Sequence, residues 1–272
     1  DLTDYQATLY LAFHLFRYQY DPTITKAQLM QETFMTQIFL NLLNDKEVEQ
    51  KPAHRIRYID NPLNPEFKQS TDQHIETDLY RFTLPNGDTL LVKKDWGNLK
   101  EPISLAIKHT IGASEQDPSE LFDILRARFI LFDFTINDFR NPGEQQNRAK
   151  EFAEICAKSI NNNLQKVDKK REDLTEGEFT IELPNKETMF PKITIYLVHQ
   201  GVKAEIQIIP QQLDHIQASE RSPFNHENYK GALMARLLLM LFPESANPEF
   251  HATLVEIIRQ QKESRDRGQQ AL

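Results

Sequence analysis

The run FDILRARFILFDF, Phe122 to Phe134, constrains the fold of this chain more than any other stretch. Apolar and β-branched residues broken only by arginines read as a central strand, with the carboxylate of Asp123 at its start. A second run, KAEIQII from Lys203 to Ile209, places Glu205 and Gln207 two residues apart, so both project from one face of a sheet. If these strands are neighbours, Asp123 and Glu205 form a carboxylate pair able to hold a magnesium ion.

The 272 residues, 39% hydrophobic and 26% charged, suffice for a real core and exclude a disordered chain. A net charge of -8 argues against broad nonspecific nucleic-acid binding, while a local basic groove can coexist with it. The single cysteine, Cys156, excludes an intrachain disulfide framework and a cysteine-rich zinc site, and within EFAEICAKSI it is expected to be buried on a helix. No segment approaches roughly 18 uninterrupted apolar residues, and the first residues lack a charged-then-apolar export signal. A soluble, cytoplasmic protein without membrane contact is the expectation.

Residues 1–44 read as two helices. Leu9, Phe13, Phe16 and Tyr20 recur at helical spacing and are expected to pack on the domain; Asp21-Pro22 interrupts them, and Thr25 to Leu43 resumes with Met30, Phe34 and Phe39 on a stripe that reads as core before a partner-binding face. Prolines 52, 62 and 65 predict an irregular connection over 46–78. DLYRFTLPNGDTLLVKKD, 78–95, predicts a hairpin about Asn86-Gly87. A short helix over 101–109, a helix over 144–164, strands over 178–183 and 192–199 with a turn at Gly201, a buried helix over 231–242 and a solvated or frayed tail from Gln260 complete the reading. The alternation predicts an α+β fold, a mixed sheet with flanking helices, preceded by an N-terminal helical region.

Lys100, Ser104 and Lys108 recur every four positions, so one helical face offers two ammonium groups and a hydroxyl, a set that suits a polyphosphate. There is no GxxxxGK[ST] loop, no GxGxxG turn, no HExxH and no paired CxxC.

Lys100-x-x-x-Ser104-x-x-x-Lys108, then DILRAR with Asp123 and Arg128, then EIQI from Glu205, then HENYK from His226 to Lys230 follow the order and spacing of the RelA/SpoT-type alarmone synthetase domain, which residues 90–243 resemble. The resemblance implies a nucleotidyltransferase-like fold that transfers pyrophosphate from ATP to the 3′-hydroxyl of GDP or GTP. It implies Asp123 as a magnesium ligand and Glu205 as a second ligand or the base on the hydroxyl. Lys100, Lys108 and Arg128 would hold phosphates; Ser104, Gln207, His226, Tyr229 and Lys230 would complete the substrate site. On this basis residues 76–245 form the synthetase-like domain, 1–75 the helical region and connection, and 246–272 a C-terminal helix and tail.

The pattern has departures. Asn98 stands where the family has an arginine, and Ile209-Pro210 replace the arginine and threonine of EIQIRT. Arg126 stands where a small residue is usual, and FPKITIYLVHQG lacks the glycine-tyrosine-x-serine segment whose tyrosine stacks on the acceptor base, leaving Tyr196 as the nearest aromatic. No His-Asp dipeptide occurs, so alarmone hydrolysis is not expected. Two functions follow: a magnesium-dependent pyrophosphokinase whose acceptor is a guanine nucleotide, an adenine nucleotide or an RNA end, or a degenerate domain that binds a nucleotide, RNA or protein without catalysis.

Overall fold

The computed structural model describes residues 4–43, 48–58, 69–95, 102–112, 121–122, 124–188, 190–219, 222, 225–242, 244–245 and 247–271. Helices α1 (Asp4–Tyr20) and α2 (Pro22–Leu43) come first, followed by strands β1 (Val48–Tyr58), β2 (Gln69–Thr83) and β3 (Thr89–Asp95), and then α3 (Pro102–Gly112). After β4 (Leu125–Leu131) come α4 (Ile136–Arg140), α5 (Glu144–Ile160), β5 (Gln165–Lys166), β6 (Glu178–Glu182), β7 (Ile193–His199) and β8 (Val202–Pro210). Helices α6 (Gln211–Ala218), α7 (His226–Leu241) and α8 (Pro248–Ala271) close the chain.

The strands form one mixed sheet in the order β1-β2-β3-β4-β8-β7-β6-β5. β4 and β8 are central neighbours and run parallel, Arg126 opposite Glu205 and Arg128 opposite Gln207. β3 pairs antiparallel with β4, and β7 with β8. The fold is α+β, as the alternation of elements predicts.

Laterally paired residues share a sheet face, so the register sorts the side chains. One face carries apolar rows: Phe179, Leu197, Ala204 and Leu125 in one, Ile181, Ile195, Ile206 and Ala127 in the next, then Ile193, Ile208 and Phe129. Helices α2 and α5 lie on it, Phe129 meeting Phe39 and Phe152 edge-on at 5.1 and 5.6 Å. Cys156, Phe34 and Ile38 are buried in the same core, so the N-terminal helices share it with the sheet. Burial raises the Cys156 thiol well above its ordinary pKa, as expected of an inert core cysteine.

The hairpin turns at 84–88, with Gly87 at φ 92° donating to the Leu84 carbonyl at 2.9 Å. Gln200 and Gly201, at φ 51° and 75°, turn β7 into β8. Thr135 and Asp138 form a reciprocal capping box at the start of α4.

Four expectations need correction. The connection over 46–78 is instead the long antiparallel pair β1–β2, with 46–47 and 59–68 outside the described residues; Pro52 is accommodated because β1 is an edge strand of the described sheet. The tail from Gln260 is largely solvated but not frayed: it continues α8, where Arg259 pairs with Glu256 and Glu263 one turn either side. Among its described side chains helix α7 buries only Ala232, Ala235 and Leu237 deeply and leaves Met234 exposed, because it packs on α8, α3 and α1 rather than inside the sheet core. Leu9, Phe13, Phe16 and Tyr20 of α1 face outward, since Ala7, His14 and Tyr18 form the stripe that packs inward.

Candidate functional site

The second face of the sheet is polar through its centre. One row crosses five strands as Glu182, Thr194, Gln207, Arg128 and Asp95, and the next crosses four as Thr180, Tyr196, Glu205 and Arg126. Period-two alternation in β4 and β8 puts Arg126, Arg128, Glu205 and Gln207 here because Leu125, Ala127, Phe129, Ile206 and Ile208 claim the apolar face.

Glu205 is buried, and its Oε1 accepts a hydrogen bond from the Gln207 carboxamide at 2.6 Å. That bond fixes the carboxylate and takes one of its two oxygens. Tyr196, opposite Glu205, is also buried: Phe122 packs on it edge-on at 5.2 Å and the Arg171 guanidinium lies over its ring at 5.3 Å, donating to the hydroxyl at 3.3 Å. Burial, with the nearby carboxylate of Glu182 and then that of Glu205, pushes the Tyr196 hydroxyl up to about 12 against the pull of Arg171. A ring enclosed on both sides is a packing element and not a platform for a base.

Arg128 is held from two sides. Its Nε lies 3.3 Å from Asp95 of β3, and its terminal nitrogen lies 3.3 Å from both Asp214 and Gln217 of α6. Lys93 pairs with Glu76 at 2.6 Å on the same side. Asp214 is raised above its ordinary pKa, first by burial, against the opposing charges of Arg128 and Lys93. Past Asp95, the last described residue of β3, the carboxamide of Gln31 on α2 donates to the Arg126 carbonyl at 2.6 Å and accepts from the Arg126 N–H at 3.1 Å, pairing both backbone groups of Arg126.

Of the residues singled out from the sequence, the fold brings Glu205, Gln207 and Arg128 together. Asp123 and Lys100 lie outside the described residues, as do the side chains of Lys108, His226 and Tyr229. Ser104 is half-buried on α3, and Lys230 is exposed on α7. These two helices pack on one another. Among the described residues no three His, Cys, Asp or Glu side chains converge as a metal cage.

Sequence reasoning missed Asp95, Asp214, Gln217 and Gln31. Asp214 and Gln217 are spaced i, i+3 on a helix directly after the Glu205 strand, which is the one local signal that could have found them. A groove of about 450 Å³, lined by residues including Arg81, Leu91, Phe132, Asp133 and Arg148, lies beyond the far end of β4 from Glu205. Arg148 is spoken for there, bonding the Thr89 carbonyl and Gln145 at 2.8 Å and resting on Phe134, so the groove is a hairpin anchorage more than an anion site.

No family model, curated protein or solved structure matches the chain. No described helix is long and apolar enough to cross a membrane.

Proposed function

We propose that the chain is a nucleotidyltransferase-like pyrophosphokinase, transferring pyrophosphate from ATP to a hydroxyl of a nucleotide or an RNA end. The observation that carries this reading is the parallel pairing of β4 with β8, which sets Arg126 and Arg128 beside Glu205 and Gln207 on one face. Pyrophosphate transfer requires a carboxylate for the acceptor proton or a metal, and cations for the charge on the transferred group. Glu205 is the carboxylate: the Gln207 amide occupies Oε1, and Oε2 is assigned to the acceptor. Arg128 is the phosphate cation once a nucleotide replaces Asp95 and Asp214 around it. Lys100, Ser104, Lys108, His226, Tyr229 and Lys230 are assigned to the substrates by the sequence resemblance.

Magnesium commonly takes one or two carboxylates and fills its octahedron with phosphate and water oxygens. Glu205 fits as one such ligand, with Asp123 proposed as the other; the bound ion would offset charge on the transferred group. The second reading, a domain that binds without transfer, is favoured by the two carboxylates that already neutralise Arg128 and by the enclosure of Tyr196.

Incubation with γ-labelled ATP, magnesium and GDP, GTP, AMP, ADP, ATP or bulk transfer RNA in turn separates the two. Label on one acceptor, reduced by a factor of about 10² or more in Glu205→Ala, is the expected result. Folded protein that labels nothing yet binds a nucleotide establishes the binding domain.

A further inference from the structure

Helix α1 carries two apolar stripes. Ala7, Leu11, His14 and Tyr18 follow at spacings of four, three and four and face the domain; the His14 and Tyr18 rings stack at 5.6 Å, and both meet His109 of α3. Leu9, Phe13, Phe16 and Tyr20 repeat that spacing two residues on, which at roughly 100° per residue points them to the opposite side. They are 50%, 60%, 69% and 69% exposed. A helix apolar on two opposite sides is stable with a neighbour on each, and the domain supplies one.

The character of the outer stripe decides what the other neighbour is. Its alternation of four and three residues is that of the d and a positions of a coiled-coil seam. Between Leu9 and Tyr20 the one Lys, Arg, Asp or Glu is Arg17, which flanks the stripe, so two copies can meet along it without opposing rows of like charge. A helix that lies on a lipid surface borders its apolar face with several lysines or arginines, and α1 has a single arginine in a chain of net charge -8. Aromatic side chains contribute roughly 150–250 Å² each, so the exposed fractions of three aromatics and a leucine give about 450 Å² per copy. Two copies then bury about 900 Å² from the stripe alone, and the flanking side chains bring the total to the ~1,000 Å² that a specific interface needs.

We infer that the chain forms a two-fold homodimer in which the Leu9, Phe13, Phe16 and Tyr20 face of α1 packs on the same face of a second copy. The pairing is isologous, each stripe serving as the partner of its own image. It is independent of the chemistry on the sheet.

Sedimentation velocity on the full chain tests it, with Phe13→Glu and Phe16→Glu as variants; both positions are exposed, so circular dichroism should match the parent. The parent should sediment at twice the chain mass at micromolar concentration, and each glutamate should raise the dimer dissociation constant at least about thirtyfold. Added salt should tighten the parent dimer by screening the repulsion of two acidic copies. A parent that is monomeric throughout overturns the inference, as does a dimer that Phe13→Glu leaves intact. A monomer that floats with phosphatidylcholine vesicles overturns it in favour of a lipid surface.

Discussion

On one face of the central sheet Phe129 meets Phe39 and Phe152 edge-on; on the other, its chain neighbour Arg128 meets Asp95 and Asp214. The two residues are adjacent on one strand, yet one is held by area and shape and the other by charge. The contacts of Phe129 rest on burial that is indifferent to pH and salt, whereas those of Arg128 depend on protonation and on whether another anion arrives. A protein that anchors α2 and α5 on one side and sets Arg128 among carboxylates on the other can exchange partners on the second without loosening the first.

The largest effect should come from the anchored side. Phe129→Ala is expected to lower unfolding free energy by about 3–5 kcal/mol in urea titration, since it removes a buried ring and leaves a cavity. A loss below about 1 kcal/mol would mean the helices hold to the sheet by other contacts. Arg128→Ala should cost less, about 1–3 kcal/mol, because Asp214 stays half-buried without its cation. The pair Arg128→Ala with Asp214→Asn should recover part of that loss; a double variant no more stable than the single one would show that the ion pair is incidental. Gln31→Ala should cost about 1–2 kcal/mol by stranding the Arg126 N–H and carbonyl, which hydrogen exchange at Arg126 would report directly.

The smallest effects are those of pH, and they have opposite signs on the two faces. His199, at the rim of the apolar face against Phe34, is held below its ordinary 6.5 chiefly by burial, with Lys26 adding and Glu176 opposing. Its contribution to stability is full above 6.5 and is lost as pH falls through the lower folded value. Asp214 is held above its ordinary 3.8 chiefly by burial, so its contribution is full below 3.8 and is lost as pH rises through the higher folded value. Urea midpoints measured across the histidine range should fall on acidification, and His199→Gln should flatten that slope. Asp214→Asn should leave the histidine slope in place; if it removes that slope instead, the assignment is reversed.

The sheet centre was legible in the sequence because its strands satisfy two local rules at once, apolar runs and period-two alternation. Glu205 and Gln207 stood out for the same reason, being two residues apart on such a run. The outer ribbon was not legible, since Pro52 and the polar residues of β1 carry the marks of a connection and only its place at the sheet edge makes a proline harmless there. The partners of Arg128 come from β3 and α6, at separations no local pattern records. In α1 the spacing was read correctly and its direction was not: two stripes with identical periodicity look alike until packing chooses between them.

The Gln31 clasp on β4 also bears on how the molecule is made. Its partners are 95 residues apart in sequence, so the clasp can close only after a long loop has been drawn in, a step whose entropy must be met before the contact returns anything. During synthesis, α2 leaves the ribosome with Phe34, Ile38 and Phe39 ready for a sheet whose central strand does not yet exist. The nascent chain is therefore most prone to wrong association in that interval, and arrival of β4 is the event that ends it.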